Sequence, residues 1–498
     1  MNRRIVQAVS FLLFAAVLAA SLFSCAEKPV PGTDTLPPSA SDTAAPETLV
    51  TADLPDLDLD GYLYSVAHWF LAGWECRRNI DVYAEALNGE PINDAVYHRN
   101  SLLTEKYDFE IEYNDVTEGE LYNKVRQFVS TGDDVYDVVY VLLAETPNLS
   151  TGGCFLDFET SFDYCDYDKP YWDANVRKEL SFADHTYLMA SSYNVHDEDA
   201  TTALAFNKQI AADENLPNVY EIVNAGNWTF ENLHKLMTSF DGDVNGDQKM
   251  NHEDDVFGFL GGNDVTTTFF YGGGGRLTEK DEYDYPVYVF ETEENYDIFS
   301  SVLDIMYDPM FLNHHMIGNE NDVYFRQMFI DGHGLFYWMR MDDARAMRGE
   351  EAINFGILPI PKYDETQKNY QSLLSRHTSG LMSVLTCEQN PETVGFIMEA
   401  MAAASYYDLT RAYYDVTLKT KATRDDESQD MLDLIFAHRV IDIGDIFNFG
   451  GFADTLLSYP RTNPGKYNIS STFESQKSKI ESAMDKFYEQ IEKLDLYA

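Results

Sequence analysis

The chain has 498 residues, of which 45% are hydrophobic, and it carries a formal net charge of −49. A chain of this length and composition buries a sizeable core in two or three lobes, which excludes a disordered protein. Its strong negative field repels phosphate groups, so we expect no nucleic acid among its partners.

The amino terminus predicts export. In residues 1–24, Arg3 and Arg4 precede an apolar run that ends in small residues, which is typical of a secretory signal peptide. Cys25 follows where a bacterial lipoprotein is cleaved and lipidated, although Phe23 stands where that pattern has a small residue. The alternative is an uncleaved membrane anchor, because the apolar run is nearly long enough to span a bilayer. We expect a lipid-anchored protein on the extracellular face of a bacterial cell membrane.

Residues 25–58 predict a lipidated cysteine followed by an unfolded tether. Between residues 26 and 56 lie six of the chain's 17 prolines, together with many Ser, Thr and Ala residues. This composition is typical of an extended chain that cannot bury a core. We expect it to hold the folded body a short distance from the membrane.

The first half of the body predicts a parallel sheet covered by helices. Strand patterns at 62–66, 109–113 and 136–143 alternate with two helices, one capped by Asn93 and one carrying apolar residues between 121 and 129. The order strand, helix, strand, helix, strand is the signature of a parallel α/β sheet. In open sheets of this kind, ligands meet the loops at the carboxyl ends of the strands.

The second half repeats this theme less regularly. Thr229 predicts the start of one helix, and Pro391 predicts the first residue of another. A carboxyl-terminal helix is indicated by apolar residues from Ile480 to Leu494 at steps of three and four. Four further strand patterns are evident: 202–207, 334–339, 353–361 and 379–385.

Residues 241–255, "DGDVNGDQKMNHEDD", resemble a calcium-binding loop because oxygen-bearing side chains alternate along them. A register that starts at Asp241 places Gly246 at the sharp turn but puts His252 where the closing carboxylate belongs. We prefer the register that starts at Asp243, since it keeps the full oxygen count, with Gln248 replacing the usual glycine. Its six ligands are Asp243, Asn245, Asp247, the Lys249 carbonyl, Asn251 and Asp254. The alternative is an acidic surface turn that binds no metal.

Catalytic signatures are missing from the sequence. There is no GxSxG, HExxH or Cys–His motif, and His314 and His315 lack a third ligand at metal spacing. With 84 Asp and Glu residues, any carboxylate pair proposed for glycoside hydrolysis carries little weight. We therefore expect no enzymatic activity and no required cofactor, with calcium as a structural ion.

The cysteines beyond Cys25 give no firm framework. Cys76, Cys154, Cys165 and Cys387 form no CxxC pair, which argues against a zinc site. Export permits disulfides, and Cys154 with Cys165 is the nearest pair in sequence, but the spacing leaves the pairing open.

An ordered set of segments between residues 60 and 455 carries a family resemblance. Among them are "GEPINDAVYHRN", "KPYWDANVRKELSF", "ALAFNKQIA", "NWTFENLHKL", "INFGILPIPKYDE" and "DIGDIFNFGG". In this order they resemble the extracellular solute-binding lipoproteins of bacterial ABC importers, in the sugar-binding cluster that is similar to maltose-binding protein.

The resemblance implies a type II periplasmic-binding-protein fold, with two α/β lobes built from discontinuous segments and joined by a hinge. It implies a first lobe at 59–190 plus about 375–405, and a second lobe at 191–370 plus about 406–498. Crossings near 189–204 and 370–380 are our inference from the family's order. The implied function is capture of a carbohydrate in the cleft and its delivery to ABC permease subunits. Three alternatives stay open: a secreted glycan-active enzyme, a surface polysaccharide adhesin, and a peptide-binding importer component.

A neutral sugar needs aromatic faces for its C–H surfaces and planar polar groups for its hydroxyls. The resemblance gives the most weight to Trp338 and Arg340, because they end a strand where the family presents an aromatic residue to the cleft. For each candidate the alternative is a packing or surface role. We assign Trp228 to packing. The candidates for ligand contact are His68, Trp69, Glu145, Tyr193, Asn194, Tyr271, Trp338, Arg340 and Arg376.

Overall fold

The computed structural model describes residues 50–71, 80–262, 264–318, 322–350, 352–414, 418 and 426–495. The predicted signal peptide, Cys25, Cys76 and most of the tether lie outside the described residues. The described residues from Val50 onward form one compact unit. Within the described ranges, no helix combines the length and the apolar character needed to cross a membrane.

The described strands are short and largely buried. In chain order they are β1 (Tyr62–Phe70), β2 (Phe109–Thr117), β3 (Val138–Leu142), β4 (Thr202–Asn207), β5 (Phe257–Gly261), β6 (Thr278–Lys280), β7 (Pro286–Tyr288), β8 (Phe311–Asn313), β9 (Gly334–Arg340), β10 (Phe355–Leu358), β11 (Ser372–Leu373), β12 (Gly380–Ser383) and β13 (Arg439–Val440).

The described helices vary from four residues to 27. In chain order they are α1 (Pro91–Tyr107), α2 (Glu120–Thr131), α3 (Pro147–Ser150), α4 (Phe158–Ser161), α5 (Ala174–Leu180), α6 (His196–Asp199), α7 (Lys208–Asp213), α8 (Val219–Asn224), α9 (Phe230–Met237), α10 (Asp264–Gly272), α11 (Glu293–Met306), α12 (Asp322–Ile330), α13 (Met341–Met347), α14 (Pro391–Arg411), α15 (Asp426–Ala437), α16 (Ile443–Phe447), α17 (Phe452–Thr462) and α18 (Ile469–Asp495).

Two sheets organise the body. The first has the strand order β12-β3-β1-β2, with β1, β2 and β3 parallel and β12 antiparallel to β3. The second has the order β10-β4-β9-β5-β8, with β5 parallel to both β8 and β9. The chain leaves the first sheet after Leu142, enters the second at Thr202 and returns at Gly380. The expected discontinuous two-lobe architecture is therefore confirmed.

The two passages between the sheets lie side by side. Met189 forms a bridge with Met382, and Thr201 forms a bridge with Leu374. The returning passage also pairs with the carboxyl-terminal part of the chain, because β11 lies parallel to β13.

Local sequence explains where these elements begin and end. Thr229 caps α9 as predicted, with its side chain accepting the Asn232 N–H at 3.3 Å. The prediction that Asn93 caps a helix was wrong, because α1 begins at Pro91, a residue favoured in the first turn. The Asn93 side chain instead donates to the Ala86 carbonyl at 2.8 Å.

The end of the predicted tether lies against the body. The Val50 N–H donates to the Tyr407 hydroxyl at 2.8 Å, and the Leu59 N–H donates to the Tyr107 carbonyl at 2.8 Å. Leu54 and Leu57 pack against the hydrophobic core beside the first sheet. Ordered contact with the body thus starts by residue 50.

Candidate ligand-binding site

The carboxyl ends of the parallel strands in the second sheet define one edge of the site. β5, β8 and β9 end there, at Gly261, Asn313 and Arg340. β4 runs in the opposite direction, so its first residue, Thr202, pairs with Arg340 at the same edge. This edge faces the passage that returns to the first sheet, since Thr201 pairs with Leu374.

A small cavity lies between this edge and the returning passage. Its walls come from the second sheet, α10, the returning passage and α16, and it measures about 10 Å³, room for about one water molecule. The side chains that carry the argument are Thr202, Asp264, Thr268, Trp338, Arg376 and Asp445. Two of the nine predicted contact residues, Trp338 and Arg376, therefore line one cavity.

Trp338 and Arg340 are held tightly at the end of β9. The Trp338 Nε1–H donates to Thr268 Oγ1 at 3.1 Å, and the Arg340 guanidinium lies 5.1 Å from the centroid of the Trp338 ring. Arg340 also lies 3.8 Å from the Asp264 carboxylate and 3.5 Å from that of Asp342. These contacts hold the Trp338 ring and the Arg340 guanidinium in place, as in a preorganised binding surface.

Arg376 crosses the base of the cavity between two carboxylates. Its Nε lies 3.5 Å from Asp445, which is buried, and its Nη2 lies 2.5 Å from Asp454, which is exposed. Burial raises the pKa of Asp445 to about 6, and the Arg376 charge opposes that rise. The carboxylates of Asp264, Asp342, Asp445 and Asp454 outnumber the guanidiniums of Arg340 and Arg376, so the site has an excess of negative charge.

His68 and Trp69, at the end of β1, lie in a buried aromatic cluster. The His68 ring stacks on Tyr140 at 5.1 Å and meets the edge of His196 at 4.6 Å, while Trp69 lies 5.6 Å from His196. Trp69 also packs against β12, since a Cβ on Gly380 would lie 2.6 Å from its Nε1. Burial lowers the pKa of His68 well below its ordinary value, so the ring is neutral at pH 7.

Tyr193 and Asn194 lie on the outgoing passage and are also buried. The Arg99 guanidinium lies 5.0 Å from the Tyr193 ring centroid and donates to the Tyr193 carbonyl at 2.7 Å. The Asn194 side-chain nitrogen is buried without a hydrogen-bond partner among the described residues. The structure thus brings Tyr193 close to the cluster of His68, since it lies 6.4 Å from Tyr140.

Glu145 and Tyr271 do not line the cavity but lie near Arg376, since the Ala144 N–H donates to the Arg376 carbonyl at 3.0 Å and the Tyr271 hydroxyl interacts electrostatically with Asp445 and Arg376. Glu145 ends a short 3₁₀ turn after β3 and accepts the Gly119 N–H at 3.3 Å; burial raises the pKa of this carboxyl. Tyr271 is fully buried on α10, and its hydroxyl has no hydrogen-bond partner in the part of the chain described. Ligand contact by these two residues, as by the other seven, stays a prediction.

Sequence reasoning missed the residues that complete the cavity. Asp264 follows β5 by three positions, so the rule of strand carboxyl ends would have found it. Asp445 and Thr268 lie on helices, where the sequence shows no signal that distinguishes a cavity-lining position from a packed one. Trp228, which we assigned to packing, is fully buried and donates to the Pro359 carbonyl at 2.9 Å.

The predicted calcium loop folds around its own backbone. The Asp243 carboxylate accepts N–H groups from Gly246, Asp247 and Gln248 at 2.6–3.2 Å. Gln248 adopts a φ of 65°, the left-handed conformation that usually requires glycine at this position of the loop. Among the described residues, no three His, Cys, Asp or Glu side chains converge as metal ligands. Metal binding would therefore require the loop carboxylates to exchange backbone partners for the ion.

Asp255 anchors this loop, a role that the sequence did not reveal. It is fully buried and accepts N–H groups from Val244 at 3.0 Å and from Asn251 at 2.8 Å. The described cysteines Cys154, Cys165 and Cys387 are free thiols.

Solved structures with the same arrangement identify the fold. UspC from M. tuberculosis superposes with a TM-score of 0.54 at 13% identity, covering 84% of this chain and 100% of its own. The chain has the type II periplasmic-binding-protein fold. The substrate-binding protein Lmo0181 from Listeria monocytogenes, solved in complex with cycloalternan, has a TM-score of 0.53 at 9% identity, covering 87% of this chain and 99% of its own. The maltose-binding protein MalE from the same organism, solved with maltose, has a TM-score of 0.52 at 13% identity, covering 86% and 99%.

The other comparisons return nothing. No protein-family model matches the chain, and no curated protein matches it. Two of the structural neighbours named above are binding proteins solved with a bound carbohydrate.

Proposed function

We propose that this protein is a solute-binding protein that captures a mono- or oligosaccharide between its two sheets. The observation that carries the proposal is the cavity where Trp338, Arg376 and Asp264 meet at the strand ends of the second sheet. An aromatic face, a guanidinium and carboxylates are the groups that recognise a polyhydroxylated ligand. The structural neighbours solved with cycloalternan and maltose support this ligand class.

The charges at the site disfavour an anionic ligand. Arg376 lies between Asp445 and Asp454, and Arg340 lies near Asp264 and Asp342, so four carboxylates face two guanidiniums. An anionic ligand would have to displace one of these carboxylates from its guanidinium and would still lie near the others. Sugar hydroxyls can instead bond to the outer lone pairs and N–H groups of the same side chains.

Binding requires movement of the walls. A cavity of about 10 Å³ is too small for a sugar, so the ligand enters when the second sheet and the returning passage separate. Ligand contacts made on both walls then favour the closed arrangement, as in hinge-closing binding proteins.

We propose further that a lipid on Cys25 holds the protein at the extracellular face of the membrane, where it delivers its sugar to ABC permease subunits. The signal-like residues 1–24 and the proline-rich tether support this location. Labelled palmitate should enter the wild-type chain in bacteria and should be absent from Cys25→Ser. Equal labelling of both would contradict the anchor.

We propose no catalytic role and no required cofactor, with calcium as a structural ion. The structural neighbours solved with cycloalternan and maltose support this, because both are binding proteins. Sugar products formed on incubation with an oligosaccharide would contradict this.

Differential scanning fluorimetry against matched sugar and peptide libraries tests the central proposal. We expect a rise in the unfolding temperature with at least one sugar and none with peptides, because a ligand that binds only the folded state stabilises it. A shift with peptides and none with any sugar would overturn the proposal and favour a peptide-binding protein.

A further inference from the structure

Three cavities surround the start of α5, away from the ligand-binding site. They measure about 660, 320 and 350 Å³, and none shares a lining residue with the cavity of Trp338. The first two share Pro170, Trp172 and Ala174, and the last two share Asp173. They therefore adjoin one another; we call the three together the α5 groove, and each part has the volume of a small-ligand site.

The largest part of the α5 groove contains an aromatic ring held beside a guanidinium. The Arg177 guanidinium lies 5.3 Å from the centroid of the half-buried Tyr167 ring. Glu159 fixes that guanidinium through two hydrogen bonds of 2.8 and 2.6 Å, and Thr186 donates to Glu159 at 2.9 Å. A fixed aromatic, guanidinium and carboxylate offer both a stacking face and paired groups for adjacent hydroxyls.

The charges of this part are mixed and locally paired. Lys169 lies 3.6 Å from Asp166, and Lys178 lies 2.8 Å from Glu179, while Arg177 is paired with Glu159. Each cation that lines the largest cavity thus has a carboxylate close by. Along the three cavities, eight Asp and Glu residues outnumber five Lys and Arg residues, so the surface repels phosphate and other anions. Among the described residues, no three His, Cys, Asp or Glu side chains converge as metal ligands, so a neutral polyol suits this surface better than a metal ion.

The opposite end of the α5 groove supplies amide and guanidinium groups. Arg276 donates to the Gln371 side chain at 2.9 Å and to the Gly275 carbonyl at 2.7 Å, so both of these hydrogen bonds are to uncharged groups. Asn175 and Asn369 line the same cavity. Polar side chains are therefore present at both ends of the groove.

We propose that the α5 groove is a second carbohydrate site, which holds a neutral glycan chain outside the ligand-binding site. It goes beyond capture of the transported sugar, because it retains a longer glycan on the surface of the same molecule. The two sites are independent in the residues that form them, so each can be disabled alone.

A glycan microarray probed with the full chain in detergent tests this proposal. In a Trp338→Ala background, which disables the ligand-binding site, we expect at least one class of neutral glycan to remain bound. Adding Tyr167→Ala should lower that signal at least about tenfold, while the exposed Tyr83→Ala should leave it unchanged.

Ala174→Gln provides a second test, because Ala174 is exposed and lies on the wall shared by two cavities. It should lower the signal without loss of folding, even if Tyr167→Ala unfolds. If the Trp338→Ala variant binds no glycan on the array, the proposal of a second carbohydrate site in the α5 groove is overturned and the proposed function is left intact. Equal signal with and without Ala174→Gln and Tyr167→Ala would also overturn it.

Discussion

The two sheets use the aromatic residues at their carboxyl edges differently. At the first sheet, His68 packs against Tyr140 and Trp69 packs against His196, and both residues are fully buried. At the second, Trp338 is equally buried but lines a cavity bounded by charged side chains. Burial alone therefore does not separate a packing residue from a candidate ligand contact. We expect the surroundings to do so, because Trp338 lines a cavity with Arg376 and Asp445, whereas His68 and Trp69 pack against other rings.

The largest effect is expected on the packed side. Trp69→Ala should lower the free energy of unfolding by about 3–5 kcal/mol, because it removes a large buried ring that the surroundings cannot fill. Urea denaturation followed by circular dichroism measures this. The sugar affinity of the folded variant should change less than about threefold. A larger loss would place Trp69 in the ligand site and contradict its assignment to packing.

The next effect is on the cavity side. Trp338→Ala should weaken sugar binding by about 100-fold, the change expected when a central aromatic contact is removed. Isothermal titration with the sugar found by fluorimetry measures it. Trp228→Ala is the matched control, because Trp228 is fully buried away from the cavity and should affect stability more than affinity. Equal affinity in wild type and Trp338→Ala would contradict the assigned site.

The buried acids near the two sheets differ in the charge of their neighbours. Asp445 faces Arg376, whereas Glu388 at the first sheet is buried near Asp137, and burial followed by that neighbouring charge raises the Glu388 pKa to about 8. A raised carboxyl pKa stabilises the fold fully below the ordinary value of 4.5, and this stabilisation is lost as the pH rises through about 8.

Glu388→Gln should therefore flatten the decline in unfolding temperature between pH 5 and pH 8, by a few degrees (~3 °C). Glu110→Gln, at an exposed position on β2, should leave the decline unchanged. Thermal unfolding at the two pH values checks both variants. A decline as steep in Glu388→Gln as in wild type would contradict the contribution of Glu388 to the pH dependence of stability.

The smallest effect concerns the acidic loop, which has carboxylates like the cavity but no buried space. Titration of calcium into the calcium-free protein should show one weak site, because Asp254 replaces the usual bidentate glutamate. Asp243→Ala and Asp247→Ala should each abolish it. Binding that persists in both variants would refute the proposed register.

The sequence predicted the fold well, whereas ligand contact by its nine candidate residues stays a prediction. Apolar runs such as 202–207 and 334–339 became buried strands at nearly the predicted bounds, because strand burial depends on local pattern. The cavity depends instead on contacts between residues far apart in the chain, such as Arg376 with Asp445. No local pattern encodes that contact, so the residues around Trp69 and Trp338 did not separate the two; only the family resemblance gave Trp338 more weight.

Hydrogen–deuterium exchange with and without the bound sugar tests the central claim most directly. Sugar held between the second sheet and the returning passage should slow exchange in 264–268, 372–377 and 443–447, the segments that form the cavity walls. Exchange in 62–70 should stay unchanged, because those residues are already packed. Protection confined to 62–70, or none in the three wall segments, would contradict the account.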